Sequence, residues 1–430
     1  MKKLRKLLPA AAVGFALPTL VQAQAIDSGD TAWIMTSTAL VLFMTLPGLA
    51  LFYGGLVRTK NVLSVLMQCF AICCAISITW LVIGYSMAFS DTAANGFVGG
   101  LSKAWLSGVG VDTPSGTIPE SVFVMFQLTF AIITPALIVG AFAERMRFSA
   151  MLLFSVTWAI VVYFPVTHWV WAADGWLFAQ GFRDFAGGSV VHVNAGVAAI
   201  VAALVLKNRT GFPDEPMPPH NLTMTVAGAS MLWVGWFGFN GGSALASGGA
   251  AGMAILVTHI SAAAGSLAWM SMEWIRFGKP SVLGIVTGMV AGLGTITPAS
   301  GFVGPVGALI IGLSAGTICF FATQFIKRKL KIDDSLDVFP VHGVGGFLGL
   351  LLTAFFSVWI DGVAPYADGQ TIGGQFVVQL TGAVATVAWC GIATFVLLKL
   401  IGVVTPLRAD EDDERQGLDL TQHEERGYNL

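Results

Sequence analysis

Residues 184–209 read DFAGGSVVHVNAGVAAIVAALVLKNR. Between Asp184 and Lys207 no side chain carries a permanent charge, and the one ionisable group is the imidazole of His192. At the usual helical rise of 1.5 Å, residues 185–206 extend about 33 Å, enough to cross about 30 Å of hydrocarbon. A carboxylate at one end suits a helix N-terminus, and Lys207 and Arg209 close the other end with cations. The stretch predicts a membrane-spanning helix with a histidine inside it.

The rest of the chain repeats the pattern. Of its 430 residues 55% are hydrophobic and 11% charged, with a mean hydropathy of +0.78. Soluble domains carry about 25% charged residues, so this composition excludes a cytosolic enzyme, a disulfide-stapled secreted domain and a disordered protein. The net charge of −2 excludes a basic nucleic-acid binder. All five cysteines (Cys69, Cys73, Cys74, Cys319, Cys390) sit in apolar runs without metal-ligand spacing and read as small core residues.

Windows almost free of charge mark the other spans: 31–57, 61–89, 121–143, 148–173, 222–241, 252–273, 282–298, 303–326, 338–358 and 372–404. With 185–206 the expected total is eleven. Residues 1–25 read as a signal peptide, with Lys2, Lys3, Arg5 and Lys6 ahead of a short apolar stretch and small residues at Val21, Ala23 and Ala25. Cleavage there puts the N-terminus outside. The inner connections then hold twelve Lys and Arg residues against two, Lys103 and Arg183, in the outer ones. That asymmetry orients the chain and places the tail, 405–430, in the cytoplasm. The expected organisation is signal peptide 1–25, helical membrane domain 26–404 and cytoplasmic tail 405–430.

A short internal echo points to duplication. Phe52-Tyr53-Gly54-Gly55 closes the first span and Phe239-Asn240-Gly241-Gly242 the sixth. Asp184 opens the fifth and Asp337 the tenth, each followed by a histidine, His192 or His342. Five spans per half make such repeats inverted, with a substrate path between the halves. Ionisable residues at membrane depth need a partner or a pore. His192 and His342 lie about 12 Å and 8 Å along their helices from Asp184 and Asp337 and approach the middle from opposite sides. Two facing imidazoles can pass a hydrogen bond or a proton. His259 has no such counterpart and reads as packing. No zinc motif, phosphate-binding loop or nucleophile elbow occurs, so neither an enzyme nor a cofactor or metal is expected. The chain transports or senses something.

Five segments carry a resemblance: Asp184 to His192 continuing to Arg209, Ala50 to Leu56, Gly140 to Arg145, Gly235 to Asn240, and Asp337 to Gly343. Together they resemble the ammonium transporter (Amt/Mep/Rh) family, with the bacterial Amt channels most similar. The resemblance implies an all-α membrane protein of eleven helices in an inverted 5+5 repeat. It also implies a homotrimer with one pore per subunit, set in the lipid bilayer of the bacterial cytoplasmic (inner) membrane.

Carried over onto matching positions, the family's outer recruitment site falls on Trp171, Phe130 and Ser243. Its stacked gate falls on Phe130 and Phe239, its twin-histidine pore on His192 and His342, and its supporting carboxylate on Asp184; Asp337 reads from its position as structural support, an N-cap of the tenth span. Aromatic faces attract a small cation and a serine oxygen accepts an N–H bond. The implied activity is recruitment of NH4+ outside, deprotonation near the gate and passage of NH3. Pro340 departs from the small residue common before the second histidine.

Residues 408–430 carry the dense mixed charge of a solvated end. The resemblance of Gly417-Leu418-Asp419 and His423 to the family's tail implies a PII-type signalling partner. Two other readings compete: an ammonium sensor, which generally carries an appended signalling domain, and a channel for water, urea or CO2, against which Trp171 and the aromatic gate argue.

Overall fold

A computed structural model describes residues 25–91, 93, 96–358, 362–364, 366 and 369–428. The expected signal segment therefore lies, apart from Ala25, outside the described residues. The fold is all-α. Its helices are α1 (Ser28–Leu56), α2 (Thr59–Phe89), α3 (Glu120–Phe142), α4 (Phe148–Ala179, broken at 172–175) and α5 (Gly188–Leu206). There follow α6 (Leu222–Gly242), α7 (Gly249–Phe277), α8 (Val282–Ile296), α9 (Pro305–Lys329), α10 (Phe339–Phe356) and α11 (Ile372–Val404). A two-residue hairpin, β1 (Pro114–Ser115) with β2 (Ile118–Pro119), is confined to the connection before α3.

Among the described residues ten helices are long and apolar enough to cross a membrane. The exception is α8, expected to span at 282–298: its 15 residues extend about 22 Å, and the chain turns through 297–301. Helix ends fall where the side chains can serve them. Asp27, Asn221, Ser281 and Thr371 each accept a hydrogen bond from the first turn of the helix they precede.

Small residues let the backbones touch. A β-carbon on Gly292 would lie 2.3 Å from the Ser261 carbonyl oxygen, and one on Gly316 would lie 2.3 Å from that of Gly265. Thus α7 is held between α8 and α9 at van der Waals range, which is how apolar helices gain contact without a hydrophobic driving force. In its most apolar stretch α3 is 83% buried, against 28% for α2 and α11. So α3 is the central post, and α2 and α11 are the periphery.

The charged tail is docked, contrary to its solvated composition. It forms α12 (Glu411–Gln416) and α13 (Leu418–His423). Asp419 accepts from the backbone N–H groups of Leu63 (3.0 Å) and Ser64 (2.7 Å), capping the first turn of α2 from a distant part of the chain. Leu418 donates to Asn61 at 2.8 Å, and buried Glu414 pairs with Arg408.

Candidate functional site

The two histidine helices meet at glycines. A β-carbon on Gly196 would sit 2.3 Å from the Cα of Gly343, and one on Gly346 would sit 2.8 Å from the Cβ of His192. Both histidines lie in π-turns, Gly188–Val193 and Phe339–Gly343, a local widening frequent at functional positions. The rings face each other 17° from parallel, 5.2 Å apart, with Nδ1 to Nδ1 at 3.2 Å.

Proton counting fixes the direction of that bond. The Thr297 hydroxyl donates its one hydrogen to the Leu293 carbonyl (2.8 Å) and accepts from Trp236 Nε1 (2.9 Å). Its remaining lone pair faces His192 Nε2 at 3.3 Å, so that nitrogen carries the proton. The Nδ1 of His192 is then bare and accepts from His342 Nδ1–H, leaving His342 Nε2 as a free acceptor. One proton occupies the bond, as a neutral pair requires.

Above the pair, aromatic rings continue without a break. Phe239 lies 6.0 Å from the His192 ring, Phe130 4.4 Å from Phe239, and Trp171 5.7 Å from Phe130. Phe130 and Phe239 are each 1% exposed and close the path. On one side lies a cavity of about 260 Å³ whose lining includes Trp171, Ser243, Gln127, Asp184 and Phe302. Ser243 donates its hydroxyl hydrogen to the Phe239 carbonyl (2.8 Å), which turns its lone pairs free. Trp171 donates to the Asp184 carbonyl at 2.9 Å. The Asp184 carboxylate caps α5, accepting from the N–H groups of Gly187, Gly188, Ser189 and Val190 at 2.5–3.3 Å. Burial raises its pKa, and those four donors oppose the rise.

Below the phenylalanines a slot of about 10 Å³, room for one water-sized molecule, is lined by His192, His342, Phe239 and Trp236 among apolar side chains. It shares Phe52, Val290 and His342 with the lining of a second cavity of about 290 Å³, at whose wall Asp337 and Lys327 also appear. Asp337 accepts from Lys327 at 2.9 Å. The helix-opening role expected of Asp337 belongs to Asp334, whose carboxylate accepts from Phe339 N–H at 2.7 Å. Asp334 lies eight residues before His342, as Asp184 does before His192; Asp337 is left outside the cap at φ 61°. Burial, then the neighbouring Asp337, pushes Asp334 up to about 6. The loop holding it is bolted by a charge network. Arg209 bonds both Asp333 oxygens (2.8 and 2.9 Å) and Glu144 (2.9 Å), and Arg58 also bonds Glu144 (2.8 Å). Burial would raise both acids, but these guanidinium groups outweigh it and hold them low.

Of the expected site residues, Trp171 and Ser243 share the cavity of about 260 Å³, and Phe130 touches Trp171 without lining that cavity. His192, His342 and Phe239 meet at the slot. Thr297, Trp236 and Gln127 were not expected. Gln127 stands one turn before Phe130 and brings a buried amide oxygen without a hydrogen-bond partner among the described residues. Its polarity in the apolar run 121–143 was the available signal. Among the described residues no His, Cys, Asp or Glu cluster could hold a metal ion.

Two vestibules joined by a closed, ring-lined slot through a bundle of apolar helices define a membrane channel or transporter for a small solute. The profile of the Ammonium Transporter Family matches residues 32–428, and the chain belongs to that family. An ammonium transporter of Bacillus subtilis is 48% identical over 93% of this chain and 98% of its own length. Ammonium transporter Amt1 of Archaeoglobus fulgidus is 42% identical over 94% of this chain and all of its own. The crystal structure of Saccharomyces cerevisiae Mep2 superposes with a TM-score of 0.83 at 36% identity, covering 90% of this chain and 88% of that one. A sensor Amt protein superposes at 0.86 with 28% identity, covering 92% and 98%. The chain is a transporter or channel, not an enzyme.

Proposed function

We propose that this chain takes up NH4+ at the Trp171 vestibule, releases its proton to water of that vestibule at the threshold formed by Phe130 and Phe239, and passes NH3 along His192 and His342. The observation that carries the reading is the unbroken row Trp171, Phe130, Phe239, His192, His342, with successive ring centroids 5.7, 4.4, 6.0 and 5.2 Å apart. In the outer cavity the indole face attracts the cation and Ser243 offers lone pairs. The slot then imposes the choice. An ion entering it sheds its water, at an idealised cost of order 20 kcal/mol in a medium of low dielectric, whereas NH3 enters uncharged. K⁺ has no proton to lose and stays out. The bare Nε2 of His342 accepts an N–H of the passing NH3.

Our reading of the topology is eleven spans in an inverted 5+5 repeat, with the N-terminus outside and the C-terminus inside. It is supported by the matching eight-residue offsets of Asp184/His192 and Asp334/His342 and by the twelve-to-two cation asymmetry. The α8 helix completes the count, its glycines pressed against α7. Assembly as a homotrimer draws support from His259. This imidazole is exposed on α7 beside Trp233 (5.2 Å), and a polar ring at membrane depth calls for protein cover. The bacterial inner membrane, and a PII-type partner at the docked tail, complete the proposal. Relatives at 42–48% identity named ammonium transporter favour transport over sensing.

Proteoliposome flux tests the sites. Trp171→Leu is expected to weaken apparent ammonium affinity about 2- to 30-fold, the range of 0.5–2 kcal/mol for a cation–π contact. The His192→Ala/His342→Ala pair is expected to change flux or selectivity. Unchanged behaviour in both variants would sink the assignment, and a response to water, urea or CO2 but not ammonium would favour a neutral-solute channel.

A further inference from the structure

The peripheral helix α11 has no side chain in the row of rings, yet one of its faces is built to hold the outer site. Gln375, Gln379, Gly382 and Thr386 follow each other by four, three and four positions and so share a side of the helix. Residues 181–189 lie along that side. Gln375 donates to the Gly181 carbonyl at 2.9 Å. Gln379 accepts from Arg183 N–H at 2.8 Å and donates to the Arg183 carbonyl at 2.7 Å. The ring of Phe182 occupies the space over Gly382, where a β-carbon would lie 2.4 Å from it. Thr386 meets Ser189 at 3.3 Å.

The Gln379 amide is fully buried and is itself fixed, accepting from Gln375 (3.1 Å) and donating to the Leu350 carbonyl (3.1 Å). From the other side Arg183 stacks its guanidinium 4.9 Å from Phe302 and 4.6 Å from Tyr366. The residue so clamped directly precedes Asp184, whose carbonyl holds the Trp171 indole and whose carboxylate caps the helix of His192. A primary amide is well suited to this task, since it satisfies an N–H and a C=O of one residue at once; a carboxylate only accepts and an alkyl group does neither.

We propose that Gln379 is a positioning residue of the outer ammonium site, setting the orientation of Trp171 through the Arg183–Asp184 backbone. This rests on the reading of that site given above. The test is ammonium uptake by the full-length protein in proteoliposomes, with KM and maximal rate measured separately. Gln379→Leu is expected to raise KM roughly tenfold, the equivalent of one or two lost hydrogen bonds, with the maximal rate within about twofold. Gln379→Glu, which keeps the acceptor for Arg183 N–H, is expected to fall between. Gly382→Ala displaces Phe182 without touching any polar group and is expected to raise KM as well.

A role confined to folding would instead lower the maximal rate at constant KM, and that result overturns the proposal. So does an unchanged KM in Gln379→Glu and Gly382→Ala should Gln379→Leu fail to fold. Trp171→Leu in parallel separates the two claims. If it raises KM while the α11 variants do not, positioning fails and the outer site stands. If Trp171→Leu leaves KM unchanged, the outer site itself fails and takes the proposal with it.

Discussion

Thr297 controls which way the histidine pair points, and Thr297→Val removes that control with almost no change of shape. The hydroxyl accepts from Trp236 Nε1 at 2.9 Å and from His192 Nε2 at 3.3 Å. Valine strands both donors in a fully buried position. The indole cannot move its proton, so stability is expected to fall by about 1–3 kcal/mol, the cost of a buried donor left unpaired. The imidazole can. Its proton shifts to Nδ1 and is donated to His342 Nδ1, whose own proton moves to Nε2. Each orientation contains one Nδ1–H and one Nε2–H ring, so intrinsic tautomer preference cancels. His342 borders the cavity of about 290 Å³, where water can accept its Nε2–H, so the bias is the N–H stranded at His192, about 1–3 kcal/mol or roughly 5- to 150-fold in the ratio of orientations. Nitrogen NMR on histidine-labelled protein in bilayers distinguishes protonated from bare ring nitrogens. The wild type is expected to show His192 Nε2 protonated and His342 Nε2 bare, and the variant the reverse. A bare His342 Nε2 in the variant would refute the reasoning.

Three further outcomes are expected. Gly196→Ala places a β-carbon against backbone of α10, 2.3 Å from Gly343 Cα. The helices must part, costing about 1–3 kcal/mol, and the scalar coupling between the two Nδ1 atoms should vanish; its persistence would show that the glycines do not set the pair. Asp334 sits at about 6, above its ordinary 3.8, so the folded state holds its proton more tightly than the unfolded chain. Its contribution to stability is therefore full below about pH 4 and falls by about 3 kcal/mol as pH rises through 6. Asp334→Asn, neutral throughout and still able to cap Phe339, should melt progressively higher than the wild type between pH 4.5 and 7; parallel melting curves would contradict this. Asp419→Ala orphans the Leu63 and Ser64 N–H groups. Hydrogen exchange in 411–428 should quicken roughly 30- to 1,000-fold, from about 2–4 kcal/mol of lost docking; unchanged exchange would show that other contacts hold the tail.

The membrane fold was legible because charge and hydrocarbon exclude each other locally, along consecutive residues. Ten of the expected spans are helices of spanning length, and the remaining window ends early because Pro298 and the glycine-rich turn after it stop α8. The rings and histidines could be carried over from local motifs, and the structure brings His192, His342 and Phe239 together at one slot. Asp337 reads as the cap from sequence because it stands next to the helix. The eight-residue spacing from Asp184 to His192 contained the better answer, since a π-turn start moves the cap outward. Thr297 and Gln379 were out of reach. Each acts on a residue more than a hundred positions away, and nothing in a lone threonine or glutamine of an apolar helix marks its partner. The tail misled for the same reason: its charges and amides are answered by Asn61, Leu63, Ser64 and Thr210, far upstream.

The most direct measurement is uptake into wild-type proteoliposomes carrying an internal pH dye or, in a parallel batch, a K⁺-sensitive dye, after equal outward-to-inward gradients of ammonium and of K⁺. Ammonia conduction through a closed, ring-lined slot predicts a saturable pH response to ammonium above that of protein-free liposomes, and no K⁺ entering. An ammonium response no larger than that of protein-free liposomes, or K⁺ passing alongside it, would contradict the mechanism.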